Sequence, residues 1–259
     1  MSFMYTRNYF HLALFYLDKG DLKLALDLYD RRLWLSAFHE EEKAKRAEAE
    51  GQSNKQAAPC FPSNDKTNMQ DQFGAMDLLW KLELRNKTYP GSSEAPELPQ
   101  GAFDTRWQEL VGHVISNTYQ HYDPLYDLLL LHTLCRTGHL EKAKEMLDSM
   151  AKSAEGTKAP ERKKDLEEVW IPTGQAILHY NEGKAIEAYH LLEGIVHRMH
   201  IVGGSLEQRE VLHEMYIDIL MCGGKATHQA ALSFLKEKIA ERQCVVWFHQ
   251  NLAVLDRST

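Results

Sequence analysis

The chain has 259 residues, 44% of them hydrophobic, and a net charge of −7 from 30 basic and 37 acidic side chains. This length holds one large domain or a run of repeats, and the acidic balance speaks against broad attraction to nucleic acid or anionic lipid. Four widely spaced cysteines, Cys60, Cys135, Cys222 and Cys244, form no C-x-x-C pair, so neither a zinc site nor a redox motif is suggested and reduced thiols in a cytoplasmic setting are expected. No apolar run approaches the ~20 residues of a membrane span. Residues 10–17 are apolar, but they carry His11, end in Asp18-Lys19 and lack an Ala-x-Ala cleavage site, unlike a signal peptide.

In chain order, a first helical hairpin is predicted over residues 8–38, turning at Gly20-Asp21. Small Ala13 and Ala25 sit where its helices cross, and Tyr9, Tyr16 and Tyr29 fill the space around them. The second helix continues into a solvated, charged stretch in which Glu41 precedes Lys45, and Glu42 precedes Arg46, by four residues. Residues 51–68 crowd Gly51, Ser53, Asn54, Pro59, Pro62 and Asn64 around one aromatic, Phe61, and read as a flexible insertion. Helical periodicity returns at Met69 through Phe73, Met76, Leu79, Trp80 and Leu84, and Tyr89-Pro90-Gly91 closes it. A further helix carries Phe103, Trp107, Leu110, Val114 and Ile115, with Asp104 placed to suit the dipole. Asp123-Pro124 starts the next helix as cap and first residue, and Gly138 turns it into a return over residues 140–150. Pro172 starts another helix with Ala176 and His179 on one face; Gly183 turns it, and Ala188 and Leu192 mark the return. A looser hairpin turns at Gly223-Gly224 and packs Ala231, Phe234, Leu235 and Ile239 inward. Residues 245–255 form an amphipathic capping helix.

The succession of aromatic, small residue, aromatic, glycine, small residue and aromatic over residues 9–29 resembles the tetratricopeptide repeat. Gly138, Ala143 and Leu147, and again Gly183, Ala188 and Leu192, keep the spacing of Gly20, Ala25 and Tyr29. The expected fold is all-α, tetratricopeptide-like hairpins stacked as an α-solenoid, each burying its stripe only against its neighbours. Residues 1–39 would form the first hairpin, 40–68 the charged extension and insertion, and 69–259 the remaining hairpins and cap of one continuous solenoid. Three segments further resemble the tetratricopeptide repeat protein 38 family: Asn8-Tyr9-Phe10-His11, Arg106-Trp107-Gln108-Glu109-Leu110, and Gly203-Gly204-Ser205 with Gln208-Arg209-Glu210. Phe10 stands where that family has tryptophan and Arg7 where it has histidine. The resemblance covers the C-terminal portion of the family, whose members carry further repeats before it. It implies a repeat protein and brings no catalytic residues with it.

His197 and His200 lie three apart, a spacing that presents two ligands to a metal, but no H-E-x-x-H frame or third ligand accompanies them, and surface histidines are expected. His113 and His121 flank a turn and fare no better, and His179 reads as a packed ring in a repeat position. No G-x-S-x-G elbow, P-loop or dinucleotide fingerprint occurs. Gly203-Gly204-Ser205 reads as a loop and cap, with Gln208 completing a capping box. Asn86-Lys87-Thr88 fits a glycosylation acceptor that matters only in a secreted chain. Residues 162–164 are a basic cluster among acids, read as a solvated helix start. In repeat arrays the first helix of each hairpin lines the concave face, which nominates Phe10, Leu14, Leu17, Leu128, His132, Cys135, Thr173, Ile177 and Tyr180 as a peptide-binding groove. The competing reading covers those residues with other helices of the same protein. The expectation is a non-enzymatic interaction module with a protein or peptide partner, no cofactor, no metal and neither nucleic acid nor membrane as ligand. The alternatives are a structural segment of a longer repeat protein and a histidine-rich metal-binding protein or enzyme.

Overall fold

Three helices end in the same way. Gly20, Gly138 and Gly183 have φ of 78°, 83° and 76°, the left-handed region that only glycine adopts without strain. Each glycine N–H donates three residues back: Gly20 to Leu17, Gly138 to Cys135 and Gly183 to Tyr180. The following N–H donates five back: Asp21 to Tyr16, His139 to Leu134 and Lys184 to His179. This pairing satisfies helix-end carbonyls and reverses the chain sharply. The small residues expected at the crossings, Ala25, Ala143 and Ala188, are fully buried.

The computed structural model describes residues 2–34, 66–92, 95–99 and 101–257. The expected charged extension and most of the insertion fall outside these residues. Among the described residues there are twelve α-helices and no strand. They are α1 Ser2–Asp18, α2 Leu22–Leu28, α3 Met69–Arg85, α4 Asp104–Val114, α5 Pro124–Arg136, α6 Leu140–Glu155, α7 Pro160–Asp165, α8 Ile171–Asn181, α9 Ala185–Leu192, α10 Leu206–Cys222, α11 His228–Glu241 and α12 Val246–Arg257. The class is all-α, as the periodicity predicts. None of these helices is long and apolar enough to cross a membrane.

Local chemistry accounts for the starts. Asn68 accepts from Gln70 N–H at 2.8 Å to begin α3, and Asp123 accepts from Tyr126 N–H at 2.9 Å ahead of Pro124 to begin α5. Both halves of the Ser205–Gln208 capping box are present at α10. Three expectations gain detail. First, α3 ends at Arg85, before Tyr89-Pro90-Gly91; Asn86 caps it, its N–H on Leu82 O at 3.0 Å, while its side-chain amide bonds Leu98, donating to the carbonyl at 3.1 Å and accepting the N–H at 2.9 Å. Second, Pro172 opens α8 as its second residue, as expected, but α8 is not a separate helix. It lies inside a helical run from Pro160 to Asn181, after a π turn at Leu166–Trp170. Proline lacks an N–H and crowds the carbonyl four residues back; the widened turn is where the regular ladder gives way. Third, Gly223 is right-handed, and the α10–α11 reversal is made by Gly224 at φ 59° with the Thr227 hydroxyl donating to Leu220 O at 2.6 Å.

Neighbouring hairpins do pack on one another, but burial is not confined to neighbours. Helix α3 touches α1, α2, α4, α5 and also α10, far along the chain. Four-residue steps place Asp77, Lys81 and Arg85 on α3, and Glu210, Glu214 and Asp218 on α10; all six are buried. Arg85 meets Glu214 with two hydrogen bonds, 3.1 and 2.6 Å, and Asp18 of α1 at 3.0 Å. Asp18 in turn accepts from Arg242, beyond α11, at 2.6 Å. The two ends of the fold therefore share one ionic network. Burial alone would lower the Arg85 pKa, but Glu214 and Asp18 outweigh it and raise it above the ordinary value.

Candidate functional site

The nominated groove does not form as an open face. Phe10, Leu17, Leu128, His132, Cys135, Thr173 and Ile177 are buried, and Leu14 and Tyr180 are half-buried. Helix α3 packs against both α1 and α5, on which six of the nine lie, and Thr173 spends its hydroxyl on Val169 O at 2.6 Å. Phe10 borders only a cavity of about 40 Å³. The competing reading, cover by helices of the same chain, describes most of this set.

Larger clefts adjoin elsewhere, around residues 86–89 where the chain leaves α3. One of about 660 Å³ lies between the α1–α2 turn, this segment and α12, bordered by Leu17, Glu97 and Trp247. A second of about 570 Å³ shares Asn86, Lys87, Thr88 and Tyr89 with it and reaches Asp218 and Cys222. A third of about 430 Å³ shares Lys87, Asp218 and Cys222 and extends to Trp80, His132, Arg136 and Tyr180. Of the nominated residues, Leu17, His132 and Tyr180 border these clefts.

Lys87 borders all three clefts, and its side chain keeps 39% of its surface exposed. It donates to Asp218 at 2.6 Å and to Tyr180 OH at 2.7 Å. The buried Asp218 carboxylate also accepts from Tyr89 OH at 2.6 Å and from Tyr180 OH. Burial and Asp218 hold both phenols protonated, their pKa values well above 10. Burial, then Asp218, pushes the Cys222 thiol up to about 11. Neither the two phenols nor the thiol is primed as a nucleophile near neutral pH. Behind them His132 stacks on Trp80, ring centroids 3.7 Å apart and 5° from parallel, and Trp107 meets it edge-on. Burial and the nearby Lys87 and Arg136 charges lower its pKa well below 6.5, so the imidazole is neutral. Asn181 donates its amide to Ile177 O at 2.8 Å and faces His132 Nδ1 at 3.2 Å. Nδ1 is therefore the acceptor and Nε2 carries the proton.

A second arrangement deserves a chemical reading. His121 places Nε2 at 2.8 Å from Ser149 Oγ and Nδ1 at 3.2 Å from Asp127. The order of contacts is that of a hydrolase triad, and no sequence motif announced it. Acyl transfer also needs N–H donors aimed at the developing oxyanion. Ser149 sits inside α6, where the surrounding N–H groups serve the helix ladder. His121, the one non-glycine residue with positive φ (49°) among the described residues, is instead pinned by these bonds at the entrance to α5.

The remaining candidates take structural places. His197 faces Glu237 at 3.3 Å and His200 is exposed, both on a 3₁₀ turn rather than an α-helix. His179 is half-exposed, with Nδ1 3.8 Å from Glu182. No cluster of three or more metal-ligating side chains with suitable geometry occurs among the described residues. Asn86 commits its amide to Leu98, which occupies the glycosylation acceptor in the folded chain. Lys163 and Lys164 pair with Glu167 and Glu168 along the helix. All five tryptophans are buried.

The segments that carry the family resemblance also serve packing. Arg106 clamps Asp30 at 2.8 and 2.5 Å, Trp107 donates to Glu83 at 2.9 Å, and Glu109 meets Lys66 at 2.5 Å. Gly204 lies so close to Leu125 that a Cβ would come within 2.4 Å of it. The cleft residues that sequence reasoning missed are Trp80, Lys87, Tyr89 and Asp218. The one available signal was the four-residue step of acids along α10. No family model matches the chain, and no solved structure matches it.

Proposed function

We propose that the chain is a non-enzymatic, cytoplasmic, tetratricopeptide-like interaction module whose ligand is a polypeptide segment lying along the three clefts that meet at Lys87. The recurrent glycine-ended hairpins and the three family-like segments support the repeat reading. The observation that carries the site is the continuity of those clefts, with apolar and polar lining around one half-exposed cation. Phenols and a thiol held protonated favour binding over chemistry. Selection from a random peptide library tests it. Enriched peptides should bind the wild-type chain, and Thr88→Trp, which fills the junction of two clefts, should abolish capture. Glu155→Trp, on the exposed end of α6, should not. Failure to enrich any peptide, or equal capture by the Thr88 variant, would refute the site.

A second reading has its own observation. On α1, Leu12 and Phe15 remain 39% and 54% exposed, apolar surface that further repeats of a longer protein would cover. Protection of these α1 amides from hydrogen exchange by added repeats, with loss of peptide capture, would favour a purely structural segment.

A further inference from the structure

The third cleft has a chemical character of its own. Two of its bordering side chains, Trp80 and His132, are 1% and 3% exposed. Neither Trp80 Nε1 nor His132 Nε2 has a hydrogen-bond partner among the described residues. Both are N–H donors, the first by its chemistry and the second by the tautomer that Asn181 selects. A buried donor left without an acceptor is costly, and here two such donors belong to rings stacked with centroids 3.7 Å apart beside one cleft.

Charge narrows the class of ligand. The cleft's two cations are already matched: Lys87 by Asp218 at 2.6 Å and Arg136 by Glu83 at 2.8 Å. The imidazole is neutral. An ionised ligand would be desolvated without a free counter-charge, whereas an uncharged carbonyl offers two lone pairs to two donors at no such cost. The aromatic surfaces of Trp80, His132 and Tyr180 favour a planar body.

We propose that the cleft between α3, α5, α8 and α10 binds a small, uncharged, planar amide or lactam whose carbonyl oxygen accepts from Trp80 Nε1–H and His132 Nε2–H. Both nitrogens are nearly inaccessible, so the oxygen reaches them with a shift of the cleft wall, and the indole and imidazole report that shift directly. This proposal goes beyond the peptide reading and fails separately from it, because Thr88 does not border this cleft.

The probes are benzamide, benzoate and benzamidine, three molecules of one shape and three charges. They are titrated against the full chain labelled with ¹⁵N in histidine and tryptophan. Benzamide should move the Trp80 Nε1–H and His132 Nε2 resonances saturably. Benzoate and benzamidine should bind at least about tenfold more weakly, the worth of one net hydrogen bond. His132→Phe keeps the ring and removes the donor, and should weaken benzamide by about tenfold while raising thermal stability. Thr88→Trp should leave the benzamide response unchanged. Resonances that stay fixed up to the solubility of benzamide, or that respond equally to all three probes, would overturn the proposal. So would unchanged benzamide affinity in a folded His132→Phe. Should that variant not fold, the three probes on the wild-type chain decide alone.

Discussion

Asp77 offers the sharpest test of the physics of this core, because two effects oppose each other there and their order sets a sign. Its carboxylate is wholly buried on α3, 2.8 Å from Lys81 Nζ, which is 1% exposed. If the ion pair dominated, the pKa would fall; burial dominates instead and pushes it from 3.8 up to about 7. A carboxyl whose folded pKa is raised binds its proton more tightly in the native state. Its stabilising contribution is complete below the unfolded value of 3.8 and is lost as pH rises to about 7. At about 1.4 kcal/mol per pH unit, the span from 3.8 to about 7 amounts to on the order of 4 kcal/mol. Asp77→Asn keeps the shape and removes the titration. The stability of the wild type minus that of the variant should therefore fall by about 4 kcal/mol between about pH 4 and about pH 7 and stay level above. Urea unfolding followed by far-UV circular dichroism across that range measures it. A constant difference, or one that rises with pH, would refute the claim that desolvation outweighs the Lys81 pair.

Glu210 should behave in the opposite sense. Burial would raise its pKa, but the hydrogen bond from His213 and the charge of Lys238 hold it down at about 2, so its contribution is complete above 4.5 and is lost as pH falls toward about 2; Glu210→Gln should flatten acid denaturation over that window in the same unfolding assay. Arg85→Met would strand buried Glu214 and should cost about 3–5 kcal/mol, read as a lower midpoint in urea, with Asp18→Asn costing less because Asp18 is 17% exposed. Gly138→Ala meets open space and should cost about 1 kcal/mol from backbone strain alone. Gly174→Ala, whose Cβ would come within 2.8 Å of Leu147 Cδ1, should cost more, and equal melting temperatures for the two would count against the reading.

Local chemistry was legible in the sequence wherever it was set within a few residues. The Gly20, Gly138 and Gly183 turns, the Asp123-Pro124 start and the Ser205–Gln208 box each follow from contacts inside one turn of chain. Pro172 marked the start of α8 but not the π turn that joins α8 to α7, whose Leu166 and Trp170 are buried and which no rule about proline alone anticipates. The groove failed for a larger reason. Repeat positions assign a side chain to the face of its own hairpin, but what covers that face is decided by distant helices. His132 was nominated as a groove residue and lies instead beneath Trp80, more than fifty positions earlier in the chain. Lys87 and Asp218, which meet at 2.6 Å, are separated by 131 positions and carry no motif.

The buried charges explain why distant helices find one partner and one register. An apolar stripe on α3 packs acceptably against many apolar faces and at several offsets. Placing Lys81 and Arg85 at a four-residue step on α3, and Glu214 and Asp218 at the same step on α10, changes that. Lys81 donates to Glu207 O at 2.6 Å, Arg85 grips Glu214 at 2.6 Å and Lys87 meets Asp218 at 2.6 Å, so three successive cations find three successive acceptors. A slip of one turn would part Arg85 from Glu214 and Lys87 from Asp218, and a buried carboxylate left unmatched costs several kcal/mol. The pairs add little net stability over an apolar seam of the same shape, and their effect is to exclude the alternatives. The same seam ends at Lys87 and Asp218, where its last pair emerges into the adjoining clefts. The register that holds α3 on α10 thereby also fixes the geometry of the site.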